Sequence, residues 1–256
     1  RFLDIFGYNK NIAVFFPPYS GANGMSPLKS RIDYNQIAFD YARHRRVHPE
    51  IISELVTAAN INSKTRVLEI GCGTGNYINT LQEITRCPSW GIDPHEQMLS
   101  IAREHNPKVT HLSGSAENLE FPPESFDLVF SVDVIHHVGD REKYYQEAYR
   151  VLAKGGRICT ATDSEEIIRN RMPMTVYFPE TVEVELKRYP RIADLREYMR
   201  AAGFTSLSET LVSYRYTLTD SGRYRDKAFS ALHLISEEAF QRGMERMDRD
   251  LQRGPI

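Results

Sequence analysis

Residues 66–77, RVLEIGCGTGNY, set a short apolar run directly against three alternate glycines and then against residues that suit a helix. This order reads as strand, tight turn and helix in immediate succession. Glycine at 71, 73 and 75 lets the backbone take positive φ and removes the Cβ at each of those places, so a ligand can rest on the main chain at a helix N-terminus. A dinucleotide-binding turn has the spacing G-x-G-x-x-G with no acid at the strand end facing the pyrophosphate. Here Asn76 stands where the third glycine belongs, and Glu69 lies two residues before Gly71. The turn therefore suits a ligand that is cationic at one end and nucleoside-like at the other, with Glu69 placed to hold a cationic amino group.

About twenty residues on, SWGID at 89–93 ends a second apolar stretch in Asp93, the spacing at which a strand-end carboxylate reaches a ribose diol. Asp93 precedes Pro94, so capping of the next helix is its competing duty. With Glu69, Gly71, Gly73, Gly75 and Asp93 in place, the chain resembles the class I S-adenosylmethionine-dependent methyltransferases. The likeness continues through Gly114-Ser115-Ala116-Glu117, similar to the loop that contacts adenine, through FDLVFS at 126–131, similar to the fourth strand, and through VLAKGG at 151–156, similar to the approach to the fifth. It covers about residues 32–217 and is nearest to the broad small-molecule and ubiquinone/menaquinone-biosynthesis-like group. It implies S-adenosylmethionine as cofactor, bound by Glu69, Gly71, Cys72, Gly73, Asp93, Pro94, Met98, Ala116, Glu117 and Ser131. A Tyr-x-x-x-Arg segment, Tyr41 to Arg45, resembles the part of such enzymes that folds over the cofactor with the arginine near its carboxylate.

The rest of the chain supports one α/β unit. Strand and helix patterns alternate from residue 66 to residue 161, which predicts a Rossmann-like, doubly wound, mostly parallel sheet with helices on both faces. Apolar spacing predicts an N-terminal helical cap, one helix from residue 33 carrying Tyr34, Ile37, Ala38 and Tyr41 and a second over 49–59 opened by Pro49. Residues 1–30 read as an irregular leader with a short strand at 12–16; Met25 is a candidate native start, which would make residues 1–24 foreign to the protein. The core runs over 31–218 and includes an inserted lid at 164–190; residues 219–256 form a C-terminal helical extension with Phe240, Met244 and Met247 on one face. After Gly203 one strand is evident, at 207–218, where the family closes its sheet with an antiparallel hairpin. Either that stretch bends into two strands or the sheet edge is covered otherwise.

Composition narrows the partners. A net charge of −2 gives no basic footprint for nucleic acid. No apolar run reaches the roughly 18 residues of a membrane span. Cys72, Cys87 and Cys159 are odd in number and widely spaced, which suggests neither disulfides nor a zinc site and points to a reducing cytoplasm. No metal site is expected. The remaining partner is a small-molecule acceptor; the sequence sets no oligomeric state.

Candidate catalytic residues follow the fourth strand. DVIHHV at 133–138 lies where methyl donor and acceptor should meet, and His137, or else His136, is the candidate general base. In the lid, Arg169 and Arg171 would suit an acidic acceptor, whereas Met172, Met174, Tyr177 and Phe178 would suit an apolar one. FPPY at 16–19 is similar to the (Asn/Asp)-Pro-Pro-Tyr motif of amino-group methyltransferases but lacks its polar first residue and precedes the glycine turn, so it reads as a proline-rich loop. The function expected is methyl transfer to a small molecule. Two alternatives stay open at this point: a non-catalytic S-adenosylmethionine-binding module and a nicotinamide-dependent oxidoreductase.

Overall fold

A computed structural model of the chain describes residues 8–16, 47–214 and 217–256. Its centre is a seven-stranded sheet in the order β4-β3-β2-β5-β6-β1-β7, built from β1 (Tyr8–Phe16), β2 (Val67–Ile70), β3 (Ser89–Asp93), β4 (Thr110–Ser113), β5 (Phe126–Val132), β6 (Leu152–Thr162) and β7 (Ser206–Tyr214). Strands β2 to β6 are parallel; β1 runs antiparallel to both of its neighbours, β6 and β7. All four residues of β2 are buried, as a strand covered by helices on both faces must be. One apolar cluster gathers Ile51, Leu55, Ile78, Leu81, Leu99 and Phe130 on one face; another gathers Leu68, Val129, Tyr144, Tyr145, Ile158 and Met199 on the other.

The helices start and stop where local chemistry dictates. Helix α1 (Pro49–Ala59) opens on Pro49 and closes on Asn60 in the left-handed region, one of the few non-glycine types that tolerate it. Helix α2 (Asn76–Thr85) begins at Gly75, φ 78°, and α3 (Glu96–His105) follows β3. Helix α4 (Arg141–Val151) is capped by Asp140, whose side chain accepts from the Lys143 N–H. It ends at Val151, because β6 begins at once with Leu152 and pairs with Phe126 across a register shift. After β6 come α5 (Glu165–Asn170), α6 (Met174–Tyr177) and α7 (Glu180–Arg188), which occupy the stretch read from the sequence as a lid, then α8 (Ile192–Ala202), which stops at Gly203 with φ 114°. The C-terminal part holds α9 (Gly222–Arg225) and α10 (Glu237–Leu251).

The sheet's far edge is completed from the N-terminal part of the chain. The short strand expected at 12–16 is present and longer, β1 over residues 8–16, and it fills the antiparallel position between β6 and β7. The stretch after Gly203 gives one strand, ending at Tyr214 rather than 218; it does not bend into two, and of the two alternatives the second holds, because β1 takes the place of the hairpin's other strand. The first cap helix, with Tyr34, Tyr41 and Arg45, lies outside the described residues, as do residues 17–19 of the FPPY segment, whose Phe16 ends β1; the second cap helix is α1. Among the described residues no helix is long and apolar enough to cross a membrane.

Candidate functional site

Strand order reverses at β2, whose neighbours β3 and β5 lead the chain in opposite directions across the sheet. Ligands of open α/β sheets lie in the crevice at the carboxyl ends of the strands beside such a switch point. A cavity of about 330 Å³ opens there, within the size range of small-molecule sites, roughly 300–1,000 Å³.

The glycine turn forms one wall. Gly71 and Gly73 line the cavity with φ of 71° and 53°. The N–H groups of Gly71 and Cys72 donate to Ile92 O of β3 at 2.8 and 2.9 Å, which ties the turn to the neighbouring strand. A Cβ on Gly71 would come within 2.5 Å of Val134 Cγ2, so the turn packs against the loop after β5 only because that atom is missing. At the end of β3, Asp93 is buried; its Oδ2 accepts from the Gly73 N–H at 3.0 Å, and its Oδ1 accepts from the His95 N–H at 2.9 Å and meets His95 Nδ1 at 2.8 Å. Asp93 thus orients the turn and still borders the cavity with Pro94 and Met98. It is not a helix cap, since the N-cap of α3 is His95. Ala116 and Glu117 form the opposite lip. Glu117 Oε1 accepts from the Gly139 N–H at 3.0 Å and its other oxygen from Ser115 Oγ, so this carboxylate joins the loop after β4 to the loop after β5.

Among the described residues, three of those expected to bind the cofactor do not line the cavity. Glu69, 2% exposed, turns its Oε2 to the Ile78 N–H at 2.9 Å and so satisfies a first-turn donor of α2. Cys72 packs its sulfur against Gly91, where burial pushes its thiol well above the usual range. Ser131 Oγ shares a 2.9 Å hydrogen bond with Tyr144 Oη beneath α4; burial raises that phenol to about 12.

His136 and His137 both line the cavity, with ring centroids 4.0 Å apart. His136 also stacks on Tyr189 at 4.0 Å and 16°, which leaves His137 the less enclosed of the two. The far end of the cavity was legible only in part beforehand. Asp133, Asp163, Arg171, Glu185 and Tyr189 converge there from β5, β6 and the lid, with Phe229 and Ser230 from the C-terminal part. Arg171, 5% exposed, pairs with Asp163 at 2.6 Å and also with Glu185. Burial raises the Glu185 carboxyl, with Arg171 opposing and Asp163 and Asp133 adding to the rise, and burial together with those three carboxylates pushes the Tyr189 phenol well above its ordinary range. Asp133, as the first residue of the DVIHHV stretch, and Arg171 were singled out in the sequence, and both line the cavity; Asp163 directly after a core strand was the one further usable signal, whereas Glu185, Tyr189 and Phe229 come from segments whose sequence reads as ordinary helix and loop. Arg169 is exposed and lies off the cavity. Met174, Tyr177 and Phe178 do not offer an apolar wall to an acceptor, because they are buried with Tyr224, Phe240 and Met244 under α10.

Residues 68–160 match a family described as a methyltransferase domain. The chain is 30% identical over 129 residues to the sterol 24-C-methyltransferase of Clavispora lusitaniae, covering 48% of this chain and 33% of that protein. It is 30% identical over 137 residues to the ubiquinone/menaquinone biosynthesis C-methyltransferase UbiE of Campylobacter jejuni, covering 48% of this chain and 58% of that one. The chain thus spans a third to somewhat over half the length of these relatives. Among solved structures it is similar to an S-adenosylmethionine-dependent methyltransferase of Thermotoga maritima described as a possible histamine N-methyltransferase, at 32% identity and a TM-score of 0.53, covering 68% of this chain and 80% of the other.

Proposed function

The chain belongs to the class I S-adenosylmethionine-dependent methyltransferases, and from that premise we propose that it moves a methyl group from S-adenosylmethionine to a small-molecule acceptor seated in the same cavity. The observation that carries this reading is the pairing of a Cβ-free turn at Gly71 and Gly73 with the Asp93 carboxylate on one cavity wall. When bound, S-adenosylmethionine supplies a methyl group on a positively charged sulfur and with it the driving force for transfer.

This chain's residues then bind, orient and exclude water. Asp93 has lone pairs beyond those given to Gly73 and His95, and we assign them to the ribose diol. Met98 and Ala116 are apolar walls suited to the adenine, with Pro94 beside them and Glu117 at the rim. Glu69, Cys72 and Ser131 act from behind the wall by fixing α2, the turn and β5. Tyr41 and Arg45 stay assigned to closure over the cofactor. His137 is the residue we assign to proton acceptance from the acceptor, with His136 holding it against Tyr189. We divide the chain into a core, residues 31–218 together with β1, and an extension at 219–256 that buttresses the lid. We place it in the cytoplasm, where Cys72, Cys87 and Cys159, all free and buried, stay reduced.

Calorimetric titration with S-adenosylmethionine, S-adenosylhomocysteine and NADH tests the assignment. Saturable binding of the first two is expected, with Asp93→Ala weakening both by about tenfold or more, the worth of hydrogen bonds to a charged group. Binding of NADH alone would overturn it, and binding without methyl transfer to any acceptor would reduce the protein to a binding module.

A further inference from the structure

The Asp93 carboxylate is held more firmly than its place at a strand end requires. Among the described residues three donors converge on it. The Gly73 N–H reaches Oδ2 at 3.0 Å. The His95 N–H reaches Oδ1 at 2.9 Å, and the His95 ring meets the same oxygen through Nδ1 at 2.8 Å. The two main-chain contacts follow from the local backbone: the glycine turn lies beside β3, and an N–H two residues after an aspartate closes an Asx-turn whatever side chain stands there. The ring contact has no such origin. It exists because residue 95 carries a donor next to its Cγ.

Position 95 is the N-cap of α3, where Ser, Thr, Asp and Asn are preferred because their side-chain oxygens satisfy a first-turn N–H. His95 makes no side-chain cap bond; its ring is turned to Asp93 instead. The same residue lines the cavity beside Asp93 and Pro94. The Asp93 side chain is 10% exposed and that of His95 31%, so the contact is shielded on the carboxylate's side while the ring still borders the space a ligand takes. A carboxylate can only accept from Nδ1, so the contact assigns the ring proton to that nitrogen. Neutral imidazole in this tautomer and the imidazolium both supply it.

A ribose diol donates two hydroxyl protons, and a carboxylate accepts both well only when its plane is fixed toward them. With Oδ2 tied to the glycine turn and Oδ1 to residue 95, rotation of the Asp93 carboxylate is opposed at both oxygens. Its remaining lone pairs are therefore set before a ligand arrives, which lowers the ordering cost of binding. Resting on the methyltransferase reading above, we infer that His95 is a positioning residue for the cofactor's ribose, fixing the Asp93 carboxylate through Nδ1–H in place of capping α3. Its effect is specific to the diol, because it passes through Asp93 and the diol is what Asp93 is assigned to hold.

Calorimetric titration tests this in four combinations: the wild type and His95→Leu, each with S-adenosylhomocysteine and with its 2′,3′-dideoxy analogue. Leucine keeps a branch at Cγ and removes the donor, and the thermal midpoint checks the fold. His95→Leu should raise the Kd for S-adenosylhomocysteine about fivefold, less than the full worth of a hydrogen bond to a charged group, because the ring is partly exposed and the residue 95 N–H stays on the same oxygen. The Kd for the dideoxy analogue should stay within about twofold, since a lost diol contact cannot be lost again. Equal losses for both ligands would make residue 95 part of the general wall, and an unchanged Kd for S-adenosylhomocysteine would make the ring contact idle; either overturns the inference. His95→Asn is the rescue, because Asn Nδ2 is bonded to Cγ as His Nδ1 is. It should return the Kd for S-adenosylhomocysteine to within about twofold of the wild type, and an Asn variant no tighter than His95→Leu overturns the inference. Equal wild-type binding of both ligands would also overturn it, by taking the diol from Asp93. A wild type that binds neither would sink the methyltransferase reading itself, a separate failure seen before any variant is made.

Discussion

Gly71 meets two requirements that no other residue meets together. Its φ of 71° strains any L side chain, and a Cβ would press within 2.5 and 2.7 Å of the two methyl groups of Val134. Gly75 has a similar φ, but its nearest contacts are the Asn79 amide and Ala102 Cβ, on the helix side of the turn. Gly71→Ala should therefore cost about 1–3 kcal/mol of stability, the usual range for strain plus overpacking, and should weaken S-adenosylhomocysteine binding by displacing the turn. Urea unfolding and calorimetry measure both. Val134→Ala placed on top relieves the clash but not the φ, so it should recover part of the loss; full recovery would show that backbone conformation contributes nothing at this site. Gly71 and Asp93 were legible in sequence because the reasons for them are local, a turn and a strand end. Asp133 was legible only as the first residue of the DVIHHV stretch after β5; its left-handed backbone, φ 57°, was not, since such an aspartate looks in sequence like any acid in a loop.

At the level of elements, the clearest case is how α2, α3 and β4 are joined. His111 on β4 shares a 3.1 Å hydrogen bond with Asn79 Oδ1 on α2, and Asn79 Nδ2 donates to Ala102 O on α3 at 3.1 Å. Asn106, just after α3, completes the set with Gln82 Oε1 on α2 at 3.2 Å. Burial, helped by the positive charge of Arg103, lowers the His111 pKa to about 4. Between that value and the ordinary 6.5, the unfolded chain holds the proton and the folded one does not. Stability is therefore complete above pH 6.5 and falls as the pH drops toward 4, by up to about 3 kcal/mol for a shift of this size. Unfolding midpoints across that window should show the slope, and His111→Gln, which keeps a donor for Asn79, should flatten it. An unaltered slope in the variant would mean that other groups set it. The strands and helices of this half were readable from periodicity, because each buries its own apolar face. The network that joins them was not, since Asn79, Gln82 and Asn106 sit on elements whose polar residues look like a solvated face until the partner helix is in place.

Across the whole molecule, the fold was predictable wherever consecutive elements pack together and failed where distant segments meet. The alternation over 66–161 gave the parallel sheet and the position of the cavity. The far end of that cavity needed residues from α7 and from 228–230, brought in by the C-terminal part: Tyr177 donates to Asp250 Oδ2 at 3.0 Å, and Phe178 sits so close to Gly243 that a Cβ there would lie 2.4 Å from its ring. A short strand at 12–16 was readable, but the same limit hid its place in the sheet: β1 pairs over five positions with β6 and nine with β7 although 135 residues of chain lie between it and β6. A hairpin would have closed this edge with adjacent strands; here both partners of β1 depend on a segment far away in sequence, and β6 loses its outer neighbour if that segment is removed. Deleting residues 1–16 should thus speed amide exchange at 158–162 on β6 and throughout β7, since edge N–H groups open to water lose protection, and should lower the thermal midpoint. Binding of S-adenosylhomocysteine should stay within about twofold, because the assigned cofactor wall draws on β2, β3 and the loop after β4 and on nothing from β1 or β7. Unchanged exchange on β6 in the shortened chain would show that its outer edge is closed by something other than β1, whereas a large loss of cofactor affinity would show that the sheet transmits strain from its antiparallel edge to the glycine turn.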